Sequence, residues 1–454
     1  MLLTVAVTAL TSACRAPAPE GAQTDLRREQ PGPWPSAGGE KRLPFAQRPG
    51  HDWPTVRGDL RGTGASDEAI LPPLRIVWEA APTRDYLSDP IVHEGRVYVA
   101  ASGRLYALDG EDGRCLWDAD VGAYDREMPR TAAAAGAGRV CYEAVDETWA
   151  VLSVFDTEHG KRSWQRRYAV TARYTMFRTP PLILEDGRVC HVAFEDGRWN
   201  IVARRLANGS VVWRTPLPTV PAHLGPFSGG TLYASVATPG HGEDAFLLAL
   251  DSATGRVLWQ RKRPALGTAD VPPFMALEAV SAGWQVYGSV SGRAAAFDVR
   301  HRRWAWVARP EYDYSVYATP VTLTAGLLIV AEPGVSSTNL GGPYRAYDVI
   351  GGRLVWQTSL SRLGGDFQSG RAGAPVAAGH ILYAFGEGGI VAADVYTGDR
   401  LWSSMVRGEM NPPFIGTGEQ LPAVSRGRIF VALGNQAIAF EGHTSQSRGG
   451  SHER

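Results

Sequence analysis

The sequence lacks most features that mark a common enzyme or a nucleic-acid-binding protein. Its 46 basic residues balance 46 acidic residues, so the net charge favours neither nucleic acid nor an anionic membrane surface as a partner. It contains no Gly-x-Ser-x-Gly elbow, no His-Glu-x-x-His helix and no Cys-x-x-Cys pair, which are motifs of hydrolases, metalloenzymes and redox proteins. We therefore expect no metal site, no catalytic residues of these kinds and no nucleic-acid partner.

Cysteine is also scarce, with four residues in 454. Cys141 and Cys190 follow the same Gly-Arg-Val sequence one repeat apart, and positions this far apart are usually too distant for a disulfide. We expect both to be small core residues, while a pairing of Cys115 stays open.

Tryptophan, in contrast, recurs with a period. Eight of the 14 tryptophans are spaced 39 to 50 residues apart, and most end an Ala-x-Asp-x-x-x-Gly-x-x-x-Trp pattern. A fixed period of this length with one aromatic anchor indicates stacked units that cannot bury their apolar faces alone. We expect these residues to anchor each unit to its neighbour, rather than to stack on sugars: Trp78, Trp117, Trp164, Trp213, Trp259, Trp306, Trp356 and Trp402.

Each unit contains four short apolar runs separated by turn residues, as in residues 89–117. Four strands per repeat are typical of a propeller blade. The runs alternate and are interrupted by glycine, which excludes the i, i+3, i+4, i+7 pattern of a helical repeat. The aspartate predicts an Asx-type turn, the glycine a turn with positive φ, and the alanine space for a neighbouring indole.

The repeats predict an all-β, eight-bladed propeller. Seven full copies end at Trp402, and residues 421–440 supply three strands of an eighth blade without a tryptophan. Leu74–Trp78 would provide the missing outer strand. An N-terminal outer strand that completes the C-terminal blade would close the ring and protect its edges.

The pattern, together with Trp53-Pro-Thr-Val-Arg-Gly-Asp59 near its start, resembles the pyrroloquinoline-quinone-like (PQQ-like) β-propeller family over residues 51–441. That family includes quinoprotein alcohol dehydrogenases and the lipoprotein of the outer-membrane β-barrel assembly machinery, so the resemblance implies a fold and leaves the function open. Its dehydrogenases hold the quinone under a disulfide between adjacent cysteines, with calcium bound nearby. This chain has no Cys-Cys pair, so we expect no cofactor, and PQQ with calcium is kept as an alternative.

The N-terminus resembles a bacterial lipoprotein signal. A short apolar run, Leu2 to Leu10, is followed by small residues and Cys14, and the run is too short to span a bilayer. We expect a signal segment at 1–14 with lipidation of Cys14, a flexible tether at 15–50, the propeller at 51–442 and a disordered tail at 443–454. The resulting protein would be anchored in the cell envelope, facing the periplasm or the cell surface, with plain secretion and a cytoplasmic location as alternatives.

The segments that join one blade to the next converge on one face of a propeller and form its candidate binding face. They are rich in Tyr, Phe and Arg, which interfaces favour, although the same loops could simply close the channel. The candidates are Tyr124, Arg126, Arg130, Arg173, Tyr174, Arg178, Tyr312, Tyr314, Tyr317, Asp366, Arg371, Asn411 and Phe414.

Three functions remain at this stage. The first is a non-catalytic envelope protein that binds a protein partner or a small ligand, as in outer-membrane protein assembly. The second is a PQQ- and calcium-dependent oxidoreductase. The third is a glycan-binding propeller in which Tyr312, Tyr314 and Tyr317 stack on sugars.

Overall fold

The structure is a computed structural model, which describes residues 52–123, 132–146, 149–169, 179–217, 221–238, 241–262, 280–282, 285–290, 293–308, 321–331, 344–358, 375–386, 389–405 and 421–443. Regular secondary structure in these residues consists of β-strands. Within the same ranges, no helix has the length and apolarity needed to cross a membrane.

The strands form eight hydrogen-bonded sheets in the described residues, which we number by the chain order of their first strands. Sheet 1 contains β3 (Ile91–His93), β4 (Arg96–Ala101), β5 (Arg104–Asp109) and β6 (Cys115–Asp120). Sheet 2 contains β7 (Ala134–Gly136), β8 (Arg139–Val145), β9 (Trp149–Asp156) and β10 (Arg162–Ala169). Sheet 3 contains β11 (Leu182–Leu184), β12 (Arg188–Glu195), β13 (Arg198–Arg205) and β14 (Val211–Leu217). Sheet 4 contains β15 (Pro221–Ser228), β16 (Thr231–Thr238), β17 (His241–Asp251) and β18 (Val257–Lys262).

The second half of the chain repeats this order. Sheet 5 contains β19 (Val280–Ala282), β20 (Gln285–Val290), β21 (Arg293–Asp298) and β22 (Arg303–Val307). Sheet 6 contains β23 (Val321–Thr324), β24 (Leu327–Ala331), β25 (Tyr344–Asp348) and β26 (Leu354–Thr358). Sheet 7 contains β27 (Val376–Ala378), β28 (Ile381–Gly386), β29 (Gly389–Asp394) and β30 (Arg400–Met405), joined by β1 (Ala65–Ser66). Sheet 8 contains β31 (Ala423–Ser425), β32 (Arg428–Leu433), β33 (Gln436–Glu441) and β2 (Arg75–Ala80).

The prediction of an all-β propeller with four-stranded blades is confirmed. Successive strands of a sheet pair antiparallel, and the first strand of one sheet contacts that of the next at most junctions, including β3 with β7, β27 with β31 and β31 with β3. The outer strand of sheet 8 is β2, which pairs antiparallel with β33. Two strands from the N-terminal part, β1 and β2, therefore lie in the last two sheets.

The two ends of the ring differ in their connections. Tight hairpins join the first strand to the second and the third to the fourth at one end, where the Gly110 N–H donates to the Gly95 carbonyl at 2.9 Å. We call this the hairpin end. The chain passes from one sheet to the next at the opposite end, which we call the loop end.

The repeated tryptophans connect neighbouring sheets at the hairpin end. The Trp117 Nε1–H donates to the Thr157 carbonyl of the next sheet at 3.1 Å. Trp78, Trp164, Trp213, Trp306 and Trp356 donate to the corresponding carbonyl, that of the residue after the repeat aspartate or, in sheet 3, after Arg205. A Cβ on Gly160 would lie 2.5 Å from the Trp117 ring, so the glycine leaves the space that the indole fills. Ala107 is the cross-strand partner of Trp117 in its own sheet, and the predicted space for a neighbouring indole at the alanine stays a prediction.

The Asx-type turns are confirmed. Asp394 accepts the N–H groups of Tyr396 and Thr397 at 2.8 and 2.9 Å, and Asp348 accepts that of Gly351 at 2.9 Å. These bonds satisfy turn donors that a third-to-fourth-strand hairpin would leave unpaired.

The two equivalent cysteines have the predicted role. Cys141 and Cys190 are free and fully buried, and both belong to the apolar cluster formed by sheets 2, 3 and 4. Burial raises the pKa of the Cys190 thiol to about 12, so it stays protonated and does not act as a nucleophile.

Candidate binding site on the propeller axis

A segment that does not follow the repeat occupies the axis of the ring. We call residues 52–69 the axial segment. Its Trp53 is fully buried and exchanges two backbone hydrogen bonds of 2.8 Å with Val92 in β3. Two turns follow, closed by bonds from the Gly58 N–H to the Thr55 carbonyl (3.0 Å) and from the Gly62 N–H to the Asp59 carbonyl (2.9 Å).

The axial segment bonds to the first strands of sheets on opposite sides of the ring. Its carbonyls accept N–H groups from Ala135 in sheet 2, Phe227 in sheet 4, Leu323 in sheet 6 and Ala377 in sheet 7, at 2.7 to 3.0 Å. Strand β1 continues the contact by pairing parallel with β27. A single short segment therefore ties together sheets that are far apart in sequence.

Both ends of the axial segment lie at the hairpin end. Asp52 accepts the N–H of Glu94, in the first hairpin of sheet 1, at 2.7 Å. The Glu68 carboxylate accepts the N–H groups of Arg426 (2.9 Å) and Gly427, in the first hairpin of sheet 8. The segment thus enters and leaves the channel from the same side.

Arg57 lies at the inner end of this inserted segment. It has a φ of 68° and is 4% exposed. Its Nη2 donates to the Val321 carbonyl and the Thr322 hydroxyl at 2.7 Å each, and to the Pro375 carbonyl at 3.0 Å. These acceptors stand where the first strands of sheets 6 and 7 begin, so the guanidinium faces the loop end.

A carboxylate with unusual protonation lies near the same end. Asp89 precedes β3 and accepts the Leu421 N–H of sheet 8 at 2.9 Å. Burial raises its pKa to about 7, although the Leu421 bond and the Arg57 charge oppose this effect. Asp89 therefore changes charge near neutral pH, at the junction of the first and last sheets.

A small cavity lies beside the axial segment. It is lined on one side by residues of that segment, including Arg57 and Asp59, and on the other by Leu182 of sheet 3 and Leu224 of sheet 4. Its lining is mixed, with apolar side chains next to one guanidinium and one carboxylate, so it could accept a small polar group.

A buried polar chain links sheets 2 and 3 away from the axis. The Tyr168 hydroxyl donates to Glu143, and His191 Nδ1 lies 3.5 Å from Glu143 Oε2. Arg204 Nε donates to His191 Nε2 at 3.0 Å. Because a guanidinium can only donate, His191 Nε2 accepts, and the ring proton resides on Nδ1, toward Glu143. Glu143 and His191 are 2% and 1% exposed, so this chain joins the two sheets rather than forming an open site.

The predicted binding-face residues and Cys14 lie outside the described residues. The segments that carry those residues connect described strands at the loop end, for example between Ala123 and Ala132, or between Ala308 and Val321. Sequence reasoning missed Arg57 and Asp89. The only signal for Arg57 was its place in the Trp53–Asp59 stretch, and nothing local distinguished Asp89.

The fold and the axis together define a β-propeller whose channel is filled from one end by a non-repeating N-terminal segment. A family model described as outer membrane protein assembly factor BamB matches residues 75–225 and 219–447. The chain belongs to this family.

Individual relatives include both enzymes and BamB. Quinoprotein ethanol dehydrogenase of Pseudomonas aeruginosa is 29% identical over 192 residues, which cover 37% of this chain and 28% of that protein. Quinohemoprotein alcohol dehydrogenase from Comamonas testosteroni is 16% identical, with a TM-score of 0.62 over 87% of this chain and 81% of that structure. BamB from Moraxella catarrhalis is also 16% identical, with a TM-score of 0.57 over 81% of this chain and 99% of that structure. The two solved structures show the shared fold.

A quinone with calcium would need a set of oxygen ligands on the axis. In the described ranges, no group of three or more His, Cys, Asp and Glu side chains is placed to hold a metal ion. Toward the loop end of the axis, the charged groups described above are the carboxylate of Asp89 and the guanidinium of Arg57, which is bonded to backbone carbonyls. One carboxylate and one guanidinium do not provide the set of oxygen ligands that calcium needs.

Proposed function

We propose that this chain is a non-catalytic binding protein of the bacterial cell envelope. Its surface at the loop end, which we call the loop face, recognises a protein partner. The observation that carries the proposal is the axial segment, which fills the channel from the hairpin end and stops at Arg57. The strand ends that the long inter-sheet segments join lie at the opposite end of the ring. Membership of the family described as an outer membrane protein assembly factor supports a role in outer-membrane protein assembly.

The proposal includes the architecture and location predicted from the sequence. The eight sheets would be the blades of one ring, closed where β2 completes sheet 8 and Trp78 bonds to Gly110 of sheet 1. Cys14 would carry a lipid anchor, and residues 15–50 would form the tether.

Site-specific crosslinking tests the partner surface. A photoreactive residue at Tyr174 or Tyr312, in two of the segments predicted to form the loop face, should capture a component of the outer-membrane assembly machinery from envelope membranes. The same group at Glu158, an exposed position at the hairpin end, serves as the control. Capture from Glu158 alone, or no capture of an assembly component from the loop face, would contradict the proposal.

The quinoprotein alternative rests on the 29% identity to quinoprotein ethanol dehydrogenase. Its test is incubation of the purified chain with PQQ and calcium, followed by desalting and an absorption spectrum. A retained quinone band with dye-linked alcohol oxidation would replace the binding function by an oxidoreductase. Loss of the quinone on desalting would remove the alternative.

A further inference from the structure

An apolar surface is exposed at the hairpin end of sheets 6 and 7. Of the six large hydrophobic residues exposed in the described residues, four lie here: Ile350 is 83% exposed, Leu354 46%, Val355 43% and Tyr396 42%. We call these four residues the apolar tip. Ile350 and Tyr396 occupy the same position of the repeat, two residues after Asp348 and Asp394. In sheets 1 and 2 that position holds Glu111 and Glu158. The turn therefore does not require an apolar residue at this position.

The two turns of the apolar tip are neighbours. The Trp356 Nε1–H of sheet 6 donates to the Val395 carbonyl at 2.9 Å, next to Tyr396. In the same way, Trp306 of sheet 5 bonds to the Val349 carbonyl at 3.1 Å, next to Ile350. These bonds place the turns of sheets 5, 6 and 7 side by side along one edge of the ring.

The side chains that flank the tip are basic. Arg300, Arg302 and Arg303 are exposed in the turn and outer strand of sheet 5, and Arg353 is exposed beside Leu354. Within the described part of the chain, none of these four arginines forms a salt bridge through its guanidinium group.

The repeat aspartates nearest to these arginines bond to groups within their own turns. Asp348 accepts the N–H groups of Ile350, Gly351 and Arg353 within its own turn. Asp298 is 5% exposed and bonds to His301 Nδ1 at 2.6 Å. The repeat aspartates Asp298 and Asp348 are therefore engaged within their own turns, and Asp399 in the turn of sheet 7 is an exposed carboxylate at this edge.

We propose that this edge docks on an anionic lipid bilayer, with the apolar tip inserted among the headgroups. Basic residues around an apolar protrusion match the two parts of such a surface, the anionic headgroups and the acyl boundary beneath them. The position of Asp52 supports the orientation, because the described part of the axial segment begins there, at the same hairpin end. Docking by this edge would turn the loop face away from the membrane, toward a partner.

The proposal is tested with the full chain carrying Cys14→Ser, so that no acyl chain contributes. Vesicles of phosphatidylcholine with about one third phosphatidylglycerol should bind it in flotation assays, and phosphatidylcholine alone should bind it much more weakly. Ile350→Asp and the pair Arg302→Gln with Arg303→Gln should each weaken binding by roughly tenfold.

Matched controls come from the repeat. Ala207→Asp changes the equivalent exposed position of sheet 3, and Arg162→Gln with Arg205→Gln removes two exposed arginines from sheets 2 and 3. These controls should bind like the parent. Equal losses in both sets would show a non-specific charge effect, and no binding by the parent would also overturn the proposal.

A protein partner on this edge is a further outcome. If a crosslinker at Ile350 captures an envelope protein while anionic vesicles are not bound, the edge is a protein interface and the lipid proposal is wrong. The lipid proposal can fail independently of the proposed function. Vesicle binding tests the hairpin end, whereas partner capture from Tyr312 tests the predicted loop face.

Discussion

The perimeter and the axis of the ring are held together in two different ways. At the perimeter, one short pattern recurs, in which a tryptophan lies against the glycine of the next sheet and bonds to a carbonyl one residue after the repeat aspartate. On the axis, a single segment bonds to several sheets at once and appears nowhere else in the sequence. The perimeter therefore spreads its stabilisation over many similar contacts, whereas the axis concentrates it in a few residues.

The largest expected loss of stability comes from adding a side chain at a perimeter glycine. Gly160→Ala should lower the free energy of unfolding by about 3 kcal/mol, because its Cβ would meet the Trp117 ring and its backbone has a positive φ. Gly138 has the same φ of +67°, but nothing lies within 4 Å of its Cβ, so Gly138→Ala should cost only about 1 kcal/mol. Urea denaturation of both variants measures the difference, and equal losses would show that the indole contact contributes nothing.

The second largest loss of stability is expected on the axis, from substitution of Arg57. Arg57→Met removes donors to Val321 and Pro375 and should cost about 2 kcal/mol, since buried acceptors lose their partner. Arg61→Met is the control in the same segment, where a partly exposed guanidinium pairs with Asp59, and it should cost less than about 1 kcal/mol. Similar urea midpoints for the two variants would argue against a concentrated axial contribution.

The axis should also depend on pH through Asp89. Its folded pKa is about 7, raised from an ordinary value of 3.8, so the stability that the protonated carboxyl contributes is fully present below pH 4 and is lost as the pH rises through 7. Asp89→Asn keeps an acceptor for the Leu421 N–H without this charge. The variant should gain about 2 kcal/mol relative to the parent between pH 4 and pH 8, a value reduced because Asp89 is partly accessible to water.

The readout for Asp89 is the difference in unfolding free energy between variant and parent, followed across this pH range. Asp399→Asn, at an exposed position, should show a constant difference. A flat profile for Asp89→Asn as well would mean that the carboxyl is ionised throughout.

The smallest expected effect is a difference in stability between substitutions of two perimeter tryptophans. Trp356 Nε1 donates to Val395 at 2.9 Å, whereas the buried Trp402 Nε1 has no hydrogen-bond partner in the described part of the chain. Trp356→Phe should therefore cost about 1 kcal/mol more than Trp402→Phe. Thermal unfolding of the two variants checks this, and a larger loss at Trp402 would reverse the interpretation.

Trp402 also shows why the repeat changes at the last junction. In the other junctions with such a bond, the acceptor lies in the turn between the third and fourth strands of the next sheet. In sheet 8 the outer strand is β2, which comes from another part of the chain, so β33 and β2 share no turn. The pairing of β2 with β33 thus takes the place of the hairpin whose turn would hold the acceptor.

Net charge was a poor guide to the surface. Equal numbers of basic and acidic residues gave no reason to expect an anionic partner. In the fold, however, the turn of sheet 1 carries Glu111 and Asp112, while the turn of sheet 5 carries Arg300 and Arg302. Summing over the whole chain cancels charges that lie on different edges of a ring, where screening keeps them largely independent.

Local patterns by themselves determined the blade, its four strands and its Asx turns, because these depend on residues within about ten positions of each other. They could not show that the glycine of one sheet makes room for the tryptophan of the previous sheet, since the two are some 40 residues apart. Only the tertiary structure decided the place of Arg57, whose acceptors are 264 to 318 residues away along the chain, and the raised pKa of Asp89, which depends on burial at the junction of the first and last sheets. Such contacts depend on how sheets that are far apart in sequence pack together, and that packing is a property of the whole chain.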